Sequence, residues 1–126
     1  APGVVSQSVT DFAVPMAGAT LITTTVTVPS GYTKAAVVLT GRVFATNPGA
    51  SDYLYARPVV NGTTGNAVPV QAPTGVGVLN VAPIALALTG LASSFTVSLW
   101  ASSSVADWSP NTSNLADLSG SVVWFK

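Results

Sequence analysis

Between Thr20 and Val28 the chain alternates with a period of two: Ile22, Thr24, Val26 and Val28 fall on one face, and Leu21, Thr23, Thr25 and Thr27 on the other. That period fits an extended strand with one face turned to a core, and it does not fit a helix. The residues agree with the pattern, since the branched Cβ of Val, Ile and Thr suits a pleated surface. Pro29-Ser30-Gly31 ends the run. A chain whose most regular segment is of this kind, and whose other segments are short and cut by turn residues, is constrained to an all-β fold.

The rest of the sequence repeats the theme. Val4 to Thr10 reads as a first extended segment. Lys34 to Ala45 is apolar on both faces, which predicts a central strand covered on both sides. Asn47-Pro48-Gly49 is a turn. Tyr53 to Val60 follows, with Pro58 marking an edge or bulged strand. Asn61 to Asn66 is a hairpin-type loop. Ala67 to Gln71 and Gly75 to Val81 predict short strands. Ile84 to Leu88, Ser94 to Ala101 and Gly120 to Phe125 predict three more, with Phe95, Val97, Leu99 and Ala101 turned inward. Ser102 to Asp117 is the longest loop. About nine short antiparallel strands predict a single-domain, jelly-roll-like β-sandwich. Residues 19–126 form that domain. Residues 1–18, with Pro2, Pro15 and Gly18, fit either an extended N-terminal arm or an ordinary first strand.

Composition then narrows the function. Only 6% of the 126 residues are charged, and 48% are hydrophobic. Soluble domains carry about 25% charged residues. No apolar run approaches the roughly 20 residues of a membrane-spanning helix, and three Trp and three Tyr make poor aromatic girdles for a membrane barrel. A charge deficit of this size predicts a protein that buries much of its surface against other subunits. Four positive charges, Lys34, Arg42, Arg57 and Lys126, are scattered along the chain. They give no footprint for nucleic acid.

The inventory also limits chemistry. Without His or Cys there is no Ser-His-Asp or Cys-His site and no ordinary zinc site. Asp11, Asp52, Asp107 and Asp117 are the only acids, and loop Asp residues most often bind local backbone amides. The expectation is a protein without catalysis or a cofactor. The stretch from Asp107 to Asp117 is rich in the oxygen side chains that calcium takes, but its spacing does not match the EF-hand pattern, and it reads as a polar surface loop. Trp108, set among polar residues, is the candidate contact for a sugar or a partner, whereas Trp100 reads as core. Tyr53, Tyr55 and Arg57 share one strand face and form a candidate interface.

Three segments carry a resemblance: Val26-Thr27-Val28-Pro29-Ser30-Gly31-Tyr32-Thr33, the pair Leu88-Thr89-Gly90-Leu91 and Phe95-Thr96-Val97-Ser98-Leu99-Trp100, and the ending Leu118-Ser119-Gly120-Ser121-Val122-Val123-Trp124-Phe125. Over residues 19–126 the pattern resembles the TNF/C1q-like jelly-roll group, as found in phage virion decoration or fibre proteins. The resemblance implies a homotrimer on the virion surface, docked on a capsid or tail protein, with Val122 and Trp124 of the last strand near the trimer core. No collagen-like or coiled-coil shaft is present, which favours a decoration or cement protein over a fibre. The rival reading is a carbohydrate- or receptor-binding fibre tip that contacts a glycan through Trp108.

Overall fold

A computed structural model describes residues 3–126. It contains nine strands and, among the described residues, no helix: β1 (Gly3–Thr10), β2 (Ala19–Thr27), β3 (Lys34–Thr46), β4 (Asp52–Val60), β5 (Thr63–Thr64), β6 (Val70–Ala72), β7 (Gly77–Leu88), β8 (Ser94–Ser103) and β9 (Leu115–Phe125). They form two antiparallel sheets, a four-stranded one in the order β1-β9-β3-β7 and a five-stranded one in the order β2-β8-β4-β5, with β6 also on β4.

The pairing is nested. β1 meets β9, β2 meets β8, β3 meets β7, and β4 meets β5 and β6. The chain thus behaves as one long hairpin rolled so that successive pairs fall in alternate sheets, which is a jelly roll.

Alternation explains the core. β3 buries Ala35, Val37, Leu39, Val43 and Ala45 and turns the intervening residues outward. β8 does the same with Phe95, Val97, Leu99 and Ala101. The two inner faces pack together around Leu39, Leu54, Leu99 and Leu118, all fully buried.

Several expectations change in detail. Residues 3–10 are a strand of the sandwich and not an arm, because Val5 buries inward and the whole segment pairs with β9. Ala1 and Pro2, the tip of the expected arm, lie outside the described residues. Gly77 to Leu88 is one continuous strand across Pro83, which is tolerated because β7 is a sheet edge with a strand on one side only. The last strand begins at Leu115 rather than Gly120, so the preceding loop is shorter than expected. β3 is central within its sheet, but its outer face is open, with Val38 55% exposed. The Asn61-Gly62 turn closes as expected, with Val60 opposite Thr63 and both turn residues at positive φ.

Candidate interaction surfaces

The outer face of the four-stranded sheet can be laid out from its registers. At one end Thr10, Leu115, Phe44 and Leu79 lie side by side across β1, β9, β3 and β7. The next row is Ser8, Asp117, Arg42 and Val81, and there Arg42 donates to the Asp117 carboxylate. The middle row, Ser6, Ser119, Thr40 and Pro83, is small. Then come Val4, Ser121, Val38 and Ala85, and beyond them Val123, Ala36 and Ala87. Phe125 and Lys34 finish the face.

Leu115, Phe44, Leu79 and Val81 are exposed at one end, and Val4, Val38, Val123 and Phe125 at the other. An outward sheet face in a monomer normally alternates to polar residues. Here it carries apolar side chains at both ends around one ion pair.

The five-stranded sheet differs. Thr23, Thr25 and Thr27 of β2 lie beside Ser98, Thr96 and Ser94 of β8. All but the half-buried Ser98 are exposed, and the Thr23 and Ser98 hydroxyls are 3.1 Å apart. Toward the other end the face becomes aromatic. Tyr53, Tyr55 and Arg57 of β4 all point outward, as the period of two requires, with Tyr53 exposed and the other two half-buried. Arg57 is paired in register with Trp100, and its guanidinium carbon lies 4.7 Å from the centre of the indole. Trp100 is half-buried and belongs to this outer strip, not to the core as expected. Its ring occupies the space where a side chain on Gly18 would stand, and Gly18 has a φ of +85°.

Trp108 is a correction in the opposite sense. It is 1% exposed, so it offers no contact to a sugar or partner. Its backbone forms an isolated bridge with Val14, and its indole N–H donates to Asp52 Oδ2 at 2.9 Å. Asp52 is itself buried. Its other donors are the backbone N–H groups of Tyr53, Ser104, Val105 and Ala106, at 2.7–3.2 Å. Burial pushes the Asp52 pKa up, but the hydrogen bonds from Trp108, Tyr53, Val105 and Ser104 outweigh it and hold the carboxyl below its ordinary value.

The same end of the sandwich is fastened by buried amides. Asn114 accepts from Thr46 N–H and donates to Phe12 O, Asn47 donates to Ala50 O and Ala72 O, and Asn80 donates to Leu54 O and Val68 O. Three side-chain oxygens of the Asp107–Asp117 stretch are engaged in such bonds. Asp107 accepts from Met16 N–H, Asn111 from Ser113 N–H and Oγ–H, and Asn114 as above. Among the described residues no buried side-chain nitrogen or oxygen lacks a partner.

The last strand also divides differently from the expectation. Val122 faces inward and is fully buried within the chain, so it cannot meet a neighbouring subunit. Trp124 is half-buried and packs edge-on against Phe95, with ring centres 6.1 Å apart. Val122 and Trp124 help line a cleft of about 480 Å³ between β1 and β2, the adjacent edges of the two sheets.

No protein family matches this sequence, and no curated protein does. Solved structures do resemble its fold. One is described as the structure of infectious bursal disease virus, Gx strain: it is 16% identical, with a TM-score of 0.52, over 97% of this chain and 33% of its own. Another is a D431N mutant VP2 protein of the same virus, from derived T=1 particles: it is 18% identical, with a TM-score of 0.51, over 98% of this chain and 32% of its own. The chain therefore spans about a third of these neighbours' length. What it shares with them is the architecture, an all-β jelly-roll sandwich.

Proposed function

We propose that this chain is a non-catalytic structural protein of a virion, which assembles by burying the outer face of its four-stranded sheet against further copies of itself. The exposed apolar residues gathered on that face, in a chain with so little charge, carry the reading. Soluble monomers seldom expose contiguous apolar patches of more than a few hundred Å². The whole face, its polar middle included, spans about 700 Å² from strand spacing and rise per residue, close to the ~800 Å² per partner of a standard interface. The face is also nearly neutral, with Arg42 and Asp117 already paired. Like copies can therefore approach with little like-charge repulsion, since Lys34, at the end of the face, is the one charge on it outside that pair.

The finer reading is a homotrimer of the TNF/C1q-like kind that decorates or cements a particle surface and docks on a capsid or tail protein. The likeness in fold to structures of infectious bursal disease virus and of its VP2-derived T=1 particles supports a virion setting. The Tyr53, Tyr55 and Arg57 strip, with Trp100 beside it, is a second interface, directed to that partner. The rival carbohydrate- or receptor-binding role loses the residue that carried it, since Trp108 is in the core.

The test is the native mass by light scattering, together with Val38→Lys and Val123→Lys. The wild type is expected at a multiple of three chains, and the double variant at fewer than three, with unchanged circular dichroism. A wild type that stays monomeric at high concentration and is absent from purified particles of its source, by mass spectrometry, overturns the reading.

A further inference from the structure

Edge strands in folded proteins are guarded against pairing with other chains by a charge, a proline, a bulge or a cover. β7 carries Pro83, and β2 carries a register shift between Thr20 and Ile22. β4 is flanked by β5 at one end and β6 at the other. β1 has none of these. Its eight residues, Gly-Val-Val-Ser-Gln-Ser-Val-Thr, include no charge and no proline, and its register with β9 runs unbroken from Gly3 opposite Val122 to Thr10 opposite Leu115.

The direction of its backbone groups follows from one hydrogen bond. Asp11 N–H donates to Asn114 O, one step beyond the Thr10–Leu115 pair. In an antiparallel ladder hydrogen-bonded pairs alternate with unbonded ones. The odd-numbered residues of β1 therefore face β9, and Val4, Ser6, Ser8 and Thr10 turn their N–H and C=O groups away from it. Among the described residues, β1 has no strand partner besides β9. Beside this edge runs the cleft between β1 and β2, with Val122 and Trp124 among its lining residues.

We infer that β1 pairs antiparallel with β1 of a second copy, about a twofold axis through Gln7, joining two four-stranded sheets into one of eight strands. Parity fixes the register. Outward groups are even-numbered in both strands, so even must oppose even. With Ser6 opposite the partner subunit's Ser8, and Val4 opposite the partner subunit's Thr10, all four outward residues of each strand are matched. A shift of two residues in either direction leaves one unmatched. In this register no charge opposes another. The contact uses the sheet's edge and not its apolar face, so it adds to the association proposed above and does not depend on it.

The chain has no cysteine, which makes cross-linking a direct test. Gln7 would face its own copy in an unbonded pair, with Cα atoms about 4.5 Å apart, inside the range a disulfide spans. Gln7→Cys should oxidise to a covalent dimer at least tenfold faster than Thr25→Cys, an exposed position on β2. Adding Ser6→Pro, which removes only an outward N–H, should abolish that advantage. So should the pair Ser6→Lys and Ser8→Lys, which sets lysines opposite each other. Circular dichroism confirms that each variant folds. Equal oxidation of the Gln7 and Thr25 variants overturns the pairing, as does a Gln7 dimer indifferent to both sets of edge changes, or cross-linking of Gln7→Cys in native particles to a different protein. Loss of the edge dimer with the Val38 and Val123 result intact leaves face-to-face assembly standing.

Discussion

Trp100 and Trp108 are separated by a single loop boundary, yet they end in opposite surroundings. Trp108 sits in a polar stretch and is buried, because Asp52, far away in sequence, receives its N–H. Trp100 sits in an apolar strand and lies on the outside, under Arg57 and against the bare backbone of Gly18. The difference teaches that an indole's fate is set by what meets its polar edge and its flat face in space. A carboxylate that already collects four backbone N–H groups can draw a tryptophan inward. A strand parity that points outward leaves another half-exposed whatever its sequence neighbours are.

The sharpest way to break the comparison is at Asp52. Asp52→Asn replaces one acceptor oxygen with an NH₂ group that faces N–H donors from the backbone or from Trp108. The expected loss is about 3 kcal/mol, since hydrogen bonds to a buried charge are lost and donors are left unpaired. For a domain of this size that lowers the melting temperature by roughly 10 °C. Trp108 fluorescence should shift to the red with it, while the Arg57–Trp100 contact persists. The pH dependence has a definite sign. The folded pKa of Asp52 is lowered, so its contribution to stability is fully present above the ordinary carboxylate value and is lost as pH falls through the folded pKa. Melting curves in acid should therefore show a loss of stability in the wild type that is smaller in Asp52→Asn.

Gly18 tests the other side. A Cβ there would fall 1.8 Å from the Trp100 ring, on a backbone with φ of +85°. Gly18→Ala should cost about 1–2 kcal/mol, from the left-handed conformation and the displaced indole together. The readout that separates the two tryptophans is acrylamide quenching: Trp100 should become more accessible, and Trp108 should not change.

These two sites also mark how far the sequence could be read. The alternation of Thr20 to Val28 and of Ser94 to Ala101 located β2 and β8, because side-chain parity is a local property. The outward placement of Tyr53, Tyr55 and Arg57 was legible for the same reason. The extension of β9 back to Leu115 was not, since Leu115 becomes strand by pairing with Phe44, a non-local contact. The burial of Trp108 was likewise hidden, because the only signal was a lone Asp at position 52 with no periodic relation to it. Val122 illustrates a third limit. Its apolar character is plain in the sequence, but hydrophobicity alone does not say whether a residue faces its own core or a neighbour's.

The smallest expected effect is at Arg57. Its guanidinium lies over Trp100 on a partly exposed face, where a cation–π contact contributes about 0.5–1 kcal/mol. Arg57→Ala should lower stability by no more than that, and the change should vanish in a Trp100→Leu background if the ring is what Arg57 stabilises. A double-mutant cycle reads this coupling directly. Arg57→Lys should recover only part of it, because an ammonium group cannot stack on the indole as a planar guanidinium does. A coupling near zero would mean that Trp100 is held by Gly18 and its strand neighbours alone. The contrast between the two tryptophans would then reduce to one charged partner, at Trp108, against none. A coupling well above the expected range would instead make the Arg57–Trp100 pair a structural clasp, with an energy comparable to a single hydrogen bond of the Asp52 cluster.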